Sequence, residues 1–131
     1  MSILLALLLL IASPVFANEY VATGYAPLDP KAVKGMCYSG NPHITASGLP
    51  TTPGRTLAAP KHIPFKTWVL IEGLGLRRVE DRGGRIRRHR IDICFGTRRE
   101  ALEWGKRKVR VFFLVEGGEQ ACSHFKLCEI G

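Results

Sequence analysis

Polar and apolar residues alternate in short runs along much of this chain, and a period of two predicts strands. The run 19–25, EYVATGY, partly alternates. Further short strands are expected over 56–59, 67–72, 76–81 and 90–95, with Gly73, Gly75, Gly83 and Gly84 supplying turns. The segment 108–115, KVRVFFLV, alternates and then turns wholly apolar, so it is the expected most buried strand. One stretch breaks this rhythm. Thr97-Arg98-Arg99-Glu100 has the form of a capping box, in which the threonine hydroxyl takes a first-turn amide and Glu100 reaches back to the cap. The helix it opens should run to Trp104 and stop at Gly105. Between the first two strands, residues 26–55 are rich in Gly, Pro, Ser and Thr and have no clear period, which predicts a long irregular loop. No repeat, low-complexity tract or second-domain linker interrupts the chain. The pattern is that of one mostly β domain over 18–116.

The opening changes where that domain is expected to work. An apolar run over 3–11 leads to Ser13-Pro14 and then Val15-Phe16-Ala17, whose small last residue suits a signal peptidase. The reading is a secretory signal, 1–17, cut after Ala17. An uncleaved anchor competes with it, because the α-amine is the segment's only positive charge; the apolar run is short beside the roughly 20 residues of a membrane span. The mature chain is then exported, to the cell envelope or beyond, with no integral span and as a monomer. Four cysteines fit an exported small domain, and Cys37, Cys94, Cys122 and Cys128 lack the paired CxxC spacing of a zinc site. Three pairings are open. The expected one is Cys122–Cys128, closing a short loop in the tail 117–131, with Cys37–Cys94 as its complement.

Charge narrows the partners. The chain carries a formal +8, with seven arginines between Arg77 and Arg90. In a cytoplasmic protein this suggests nucleic acid; in an exported one it suggests acidic wall polymers or anionic lipid head groups.

The candidate chemistry lies in the stretch 80–95, EDRGGRIRRHRIDICF. Asp81 stands beside a double-glycine turn and Asp92 in the apolar run that follows, so a turn can bring two carboxylates into one cleft. Two carboxylates held in different environments recur in acid and base chemistry on sugars. A general acid must hold its proton at working pH, through burial or a like-charged neighbour. Asp92, between Ile91 and Ile93, has the neighbours for desolvation and is the favoured acid. Tyr25, Thr45, Ser47, Gly83 and Gly84 are candidates for binding substrate. No nucleophile elbow or zinc motif appears, and the chemistry calls for no cofactor and no metal.

VATGY at 21–25, TASG at 45–48, RTLAAP at 55–60, Ile63-Pro64, VEDRGGRI at 79–86, RIDICFG at 90–96 and EALEWGKRKVRVFFL at 100–114 together resemble the bacterial 3D domain. This family is named for three aspartates and is similar to the catalytic barrel of membrane-bound lytic transglycosylase A. The resemblance implies a six-stranded double-psi β-barrel with one or two short helices and a groove for peptidoglycan glycan strands. It also implies an exported lytic transglycosylase, in which an aspartic acid protonates the glycosidic oxygen beside N-acetylmuramic acid. The 6-hydroxyl of that sugar closes onto C1 to leave a 1,6-anhydro end. Asp81 and Asp92 match two family aspartates. Ala59 stands where the third is expected, which opens a second reading, a non-catalytic, expansin-like wall-binding barrel. Lys66 and Arg88 stand where the family pattern leads one to expect glycines.

Overall fold

The computed structural model describes residues 18–114. They form six strands and one helix: β1 (Asn18–Tyr25), β2 (Thr56–Ala58), β3 (Trp68–Ile71), β4 (Gly75–Asp81), β5 (Arg90–Cys94), α1 (Arg98–Trp104) and β6 (Arg107–Leu114). The strands close a barrel in the order β1-β5-β2-β4-β3-β6. The β1–β5 and β2–β4 pairs are parallel and the others antiparallel. This is the expected double-psi barrel, with one short helix among the described residues. The leader and the tail, with the expected Cys122–Cys128 bridge, lie outside the described residues. Among those described, no helix is long and apolar enough to cross a membrane.

Alternation builds the wall. Ile91 and Ile93 on β5, Tyr20 and Ala22 on β1, Leu57 on β2 and Val79 on β4 turn inward to one buried cluster. Fully burying an isoleucine in such a core contributes roughly 1.5–3 kcal/mol. The residues between them face outward, and on β5 these include Asp92. β6 departs from expectation. Val109 and Val111 are buried, but Lys108, Arg110 and Leu114 are exposed, because β6 keeps its alternation and shows one side to solvent. β5 is the more buried strand, with Ile91, Ile93 and Cys94 at 0%, 0% and 1% exposure.

β4 breaks the alternation once. Leu57 pairs with Val79, but Ala58 pairs with Asp81, so Glu80 is an extra residue in a β-bulge. In an unbroken strand Asp81 would share the inward face of Val79. The bulge turns it outward instead, onto the face that carries Asp92.

α1 lies against β1. Gly24 permits this contact, since a Cβ there would stand 2.7 Å from the Phe95 ring and 3.2 Å from the Ala101 backbone. Thr97 caps the helix as expected, accepting from Glu100 N at 3.2 Å. Glu100 differs from expectation, because its carboxylate accepts from the Thr97 hydroxyl at 3.0 Å rather than from the cap amide. Gly105 ends the helix at φ 66°. Asp29 supplies another cap, accepting from Arg98 N at 2.7 Å. These bonds to Arg98 and Lys31 hold its carboxyl below the ordinary range.

The long loop 26–55 folds back onto the bulge, where Ser47 N donates to Glu80 O at 3.0 Å. Cys37 does not tie it down. Cys37 and Cys94 are free thiols, which corrects the expected bridge. Cys94 is buried, and burial together with Asp81, Asp92 and Glu80 pushes its thiol up to about 12. Such a sulfur carries too little thiolate to exchange readily.

Two non-glycine residues have positive φ, Lys66 at 74° and Arg88 at 58°. They are the two positions where glycine was expected. Lys66 is the third residue of a turn closed by Thr67 N to Pro64 O, a place that takes glycine in type II turns. A left-handed backbone costs an ordinary L-residue about 1–2 kcal/mol, partly offset by the entropy that glycine adds to the unfolded chain. Lys66→Gly and Arg88→Gly should therefore each stabilise the domain by about 0.5–1 kcal/mol. By calorimetry the thermal midpoint should rise by about 2–6 °C for each, and a fall would contradict the strain assigned to these turns.

Candidate active site

The register puts Ala58 of β2 between the two aspartates, opposite Asp81 on one side and Asp92 on the other. Two strand spacings separate the carboxylates' backbones by roughly 10 Å. Thr23 on β1 stands opposite Asp92, and Tyr25 opposite Cys94. Thr23, Tyr25, Asp92 and Asp81 thus share the outer face of four neighbouring strands. The sequence-predicted pair is brought together, with β2 as the floor between its members.

The two carboxylates are furnished differently. Asp81 accepts three hydrogen bonds: from the Tyr25 hydroxyl at 2.8 Å on Oδ2, and from the Ala46 and Arg82 amides at 3.0 and 2.9 Å on Oδ1. All three donors suit a carboxylate that only accepts. Burial, Asp81, Cys94 and Asp92 keep the Tyr25 phenol well above its usual range, so it remains a donor. Asp92 accepts one side-chain bond, from the Thr23 hydroxyl at 3.0 Å. Burial raises its carboxyl to about 6; the Asp81 charge adds to the rise, while the Thr23 bond and Arg90 oppose it.

Arg82 braces this arrangement. Its guanidinium donates to Ala59 O at 3.0 Å and Ile63 O at 2.7 Å, and lies over the Phe65 ring at 4.1 Å. Glu80 anchors the bulge from within. It has no exposed surface, and its Oε1 accepts from Thr56 Oγ1 at 2.8 Å and Arg55 Nε at 3.1 Å, with Arg78 at 3.7 Å from Oε2.

Other expected residues have local roles. Thr45 is buried, and its hydroxyl bonds Ser47 Oγ at 2.8 Å and Leu49 O at 2.9 Å, holding the loop turn that offers Ala46 N to Asp81. Gly83 opens the turn closed by Ile86 N at 3.0 Å, and Gly84 is exposed beside it. Ala59 contributes a methyl to the core, while its amide donates to Asp81 O at 3.3 Å. Asp29, bound at the start of α1, does not take the place of a third aspartate at the pair. Sequence reasoning missed Thr23 and Glu80. Alternation within EYVATGY puts Thr23 on the same side as Tyr25, and that signal was available.

Residues 55–115 match the 3D domain. The match takes in β2 to β6 with both aspartates. The barrel is similar to that of the Escherichia coli lytic transglycosylase MltA. A variant of MltA with one aspartate replaced by alanine gives a TM-score of 0.52, and the protein itself 0.50. Both are 26% identical over 61% of this chain and 29% of theirs. This chain therefore corresponds to less than a third of MltA. No curated protein matches it.

The raised carboxyl of Asp92 has a thermodynamic consequence. Its folded-state value of about 6 lies above the unfolded value near 3.8, so the native state binds the proton more tightly. That contribution to stability is complete below about pH 3.9 and is lost as pH rises through about 6. Asp92→Asn should remove it, leaving the variant more stable relative to the parent at pH 7.5 than at pH 4, by up to about 3 kcal/mol. Thr23→Val, which deletes a bond to the ionised form, should shift the parent's loss to higher pH. Thermal midpoints between pH 4 and 8 test both, and parallel pH profiles for parent and Asp92→Asn would refute the assignment.

Proposed function

We propose that this 3D domain is an exported, peptidoglycan-active lytic transglycosylase and that Asp92 is its general acid. The observation that carries the reading is the unequal furnishing of the two carboxylates. Three donors converge on Asp81, while Asp92 is half-buried with one hydroxyl partner and holds its proton to about pH 6. A pair of carboxyl groups furnished this differently, with one of them raised, divides into acid and electrostatic partner. The similarity to a lytic transglycosylase supports the choice of substrate.

Asp92 gives its proton to the glycosidic oxygen as the C1–O bond beside N-acetylmuramic acid breaks. Asp81, anionic and fixed by Tyr25, Ala46 and Arg82, stabilises the positive charge that develops at C1. The 6-hydroxyl oxygen of the same sugar then bonds to C1, and its proton passes to the Asp92 carboxylate. The acid is regenerated, no water is consumed, and the product is a 1,6-anhydro end. Ala59 favours a second reading, a barrel that binds the wall without cutting it, because its methyl fills the third family position.

Digestion of purified sacculi, with mass spectrometry of the released muropeptides, separates the readings. Anhydro-ended products are expected, with rates falling as pH rises through about 6, where Asp92 loses its proton. Asp92→Asn should lower the rate by about 10²–10⁴-fold, the contribution of a general acid. Sedimentation of the protein with sacculi without any anhydro product would establish the binding reading instead.

A further inference from the structure

The cations around the site need an explanation that cleavage does not supply. Between Pro60 and Ile71, and again between Arg82 and Ile91, the sequence has no acidic residue. These intervals contain Lys61, Lys66, Arg82, Arg85, Arg87, Arg88 and Arg90. Among the described residues, none of these seven forms an ion pair within salt-bridge distance, whereas Arg55, Arg78, Arg99, Lys108 and Arg110 do. The two segments are neighbours, because Arg82 donates to Ala59 O and Ile63 O and covers the Phe65 ring. They also border the carboxylates. The Arg82 amide bonds Asp81, and His89 O accepts from Val21 N on β1, two residues from Thr23.

This charge is unfavourable for a general acid, since every nearby cation favours ionised Asp92. It is also retained at a conformational cost. The only two non-glycine residues with positive φ among those described are cationic, exposed, and one in each of these segments: Lys66 and Arg88. Strained backbone of this kind points to function when the strained residue offers something that glycine cannot. Here that is a positive side chain facing solvent.

We propose that segments 60–67 and 82–90 form a cationic lip that binds an anionic wall polysaccharide through its repeated carboxylate or phosphodiester groups. The geometry favours a polysaccharide over single-stranded nucleic acid, which needs free aromatic faces for base stacking. Phe65, the one Phe, Tyr or Trp in these two segments, is already covered by the Arg82 guanidinium at 4.1 Å, and the His89 ring packs on Tyr20. Lys66 and Arg88, the lip residues tested, have no part in the proposed cleavage chemistry, so failure of either claim leaves the other standing.

The test uses the full chain carrying Asp92→Asn, so that binding is measured without cleavage. The probes are soluble poly(glycerol phosphate), polygalacturonate, a neutral glycan, and single-stranded DNA of matched charge, each titrated at several salt concentrations. Binding to one or both anionic polymers is expected, weakening as salt rises and absent for the neutral glycan. The tighter of the two identifies phosphodiester or carboxylate as the natural group. Adding Lys66→Gly and Arg88→Gly should weaken binding about tenfold or more and reduce the salt slope by about one per lost contact, while the thermal midpoint rises. Opposite movements of affinity and stability distinguish a binding role from a structural one. Lys34→Ser, on a loop segment outside 60–67 and 82–90 and closed by its bridge to Tyr38, should leave binding unchanged. The proposal is overturned if no anionic polymer binds, if the double glycine variant binds like its parent, if Lys34→Ser weakens binding equally, or if the DNA binds tightest.

Discussion

One extra residue in a strand sets the chemistry of this barrel. Between Val79 and Asp81 the β4 strand advances two residues while its partner β2 advances one, so Asp81 leaves the inward face and joins Asp92 outside. The bulge is held from several directions. Glu80 is buried against Arg55, Arg78 and Thr56, its carbonyl accepts from Ser47 of the long loop, and the Asp81 carbonyl accepts from Ala59. A regular strand would aim one carboxylate at the core and the other at solvent. The anchoring of Glu80 thus determines whether the domain has a carboxylate pair at all.

Once both face outward, their surroundings separate them. Tyr25 reaches from β1 past β5 and β2 to Asp81, and two backbone amides complete its shell, while Asp92 keeps only Thr23. Burial is the main cause of the raised Asp92 carboxyl, and the Asp81 charge adds to it. Arg90 works in the opposite direction. The balance holds because desolvation is the largest effect on Asp92, while the opposing Arg90 charge is the smallest.

Much of this was legible in the sequence, because alternation and punctuation are local signals. EYVATGY and RIDICF gave strands within a residue or two of those observed, and Thr97 with Gly105 bounded the helix. The expected glycines at 66 and 88 correspond to left-handed backbone, so the turn geometry was encoded even where the residue departs from it. What the pattern concealed depends on tertiary context. A bulge is a property of two strands, and nothing in VED marks Glu80 as the extra residue. The apolar end of β6 suggested deep burial, but β6 leaves Lys108, Arg110 and Leu114 exposed to solvent. The Cys37–Cys94 pairing failed for a related reason, since cysteine counting cannot see that Cys94 is buried in the barrel wall while Cys37 lies half-buried on the long loop. At Ala59, a residue expected at the site instead fills the core.

The central claim is that the fold makes Asp92 a carboxylic acid that keeps its proton far above the ordinary range. Titrating the ¹³C-labelled side-chain carboxyl of Asp92 by NMR in the intact chain, with Asp92→Asn to assign the resonance, addresses it directly. A midpoint near 6 that moves upward in Thr23→Val is the predicted result. A midpoint near 4, unchanged by that substitution, would contradict it.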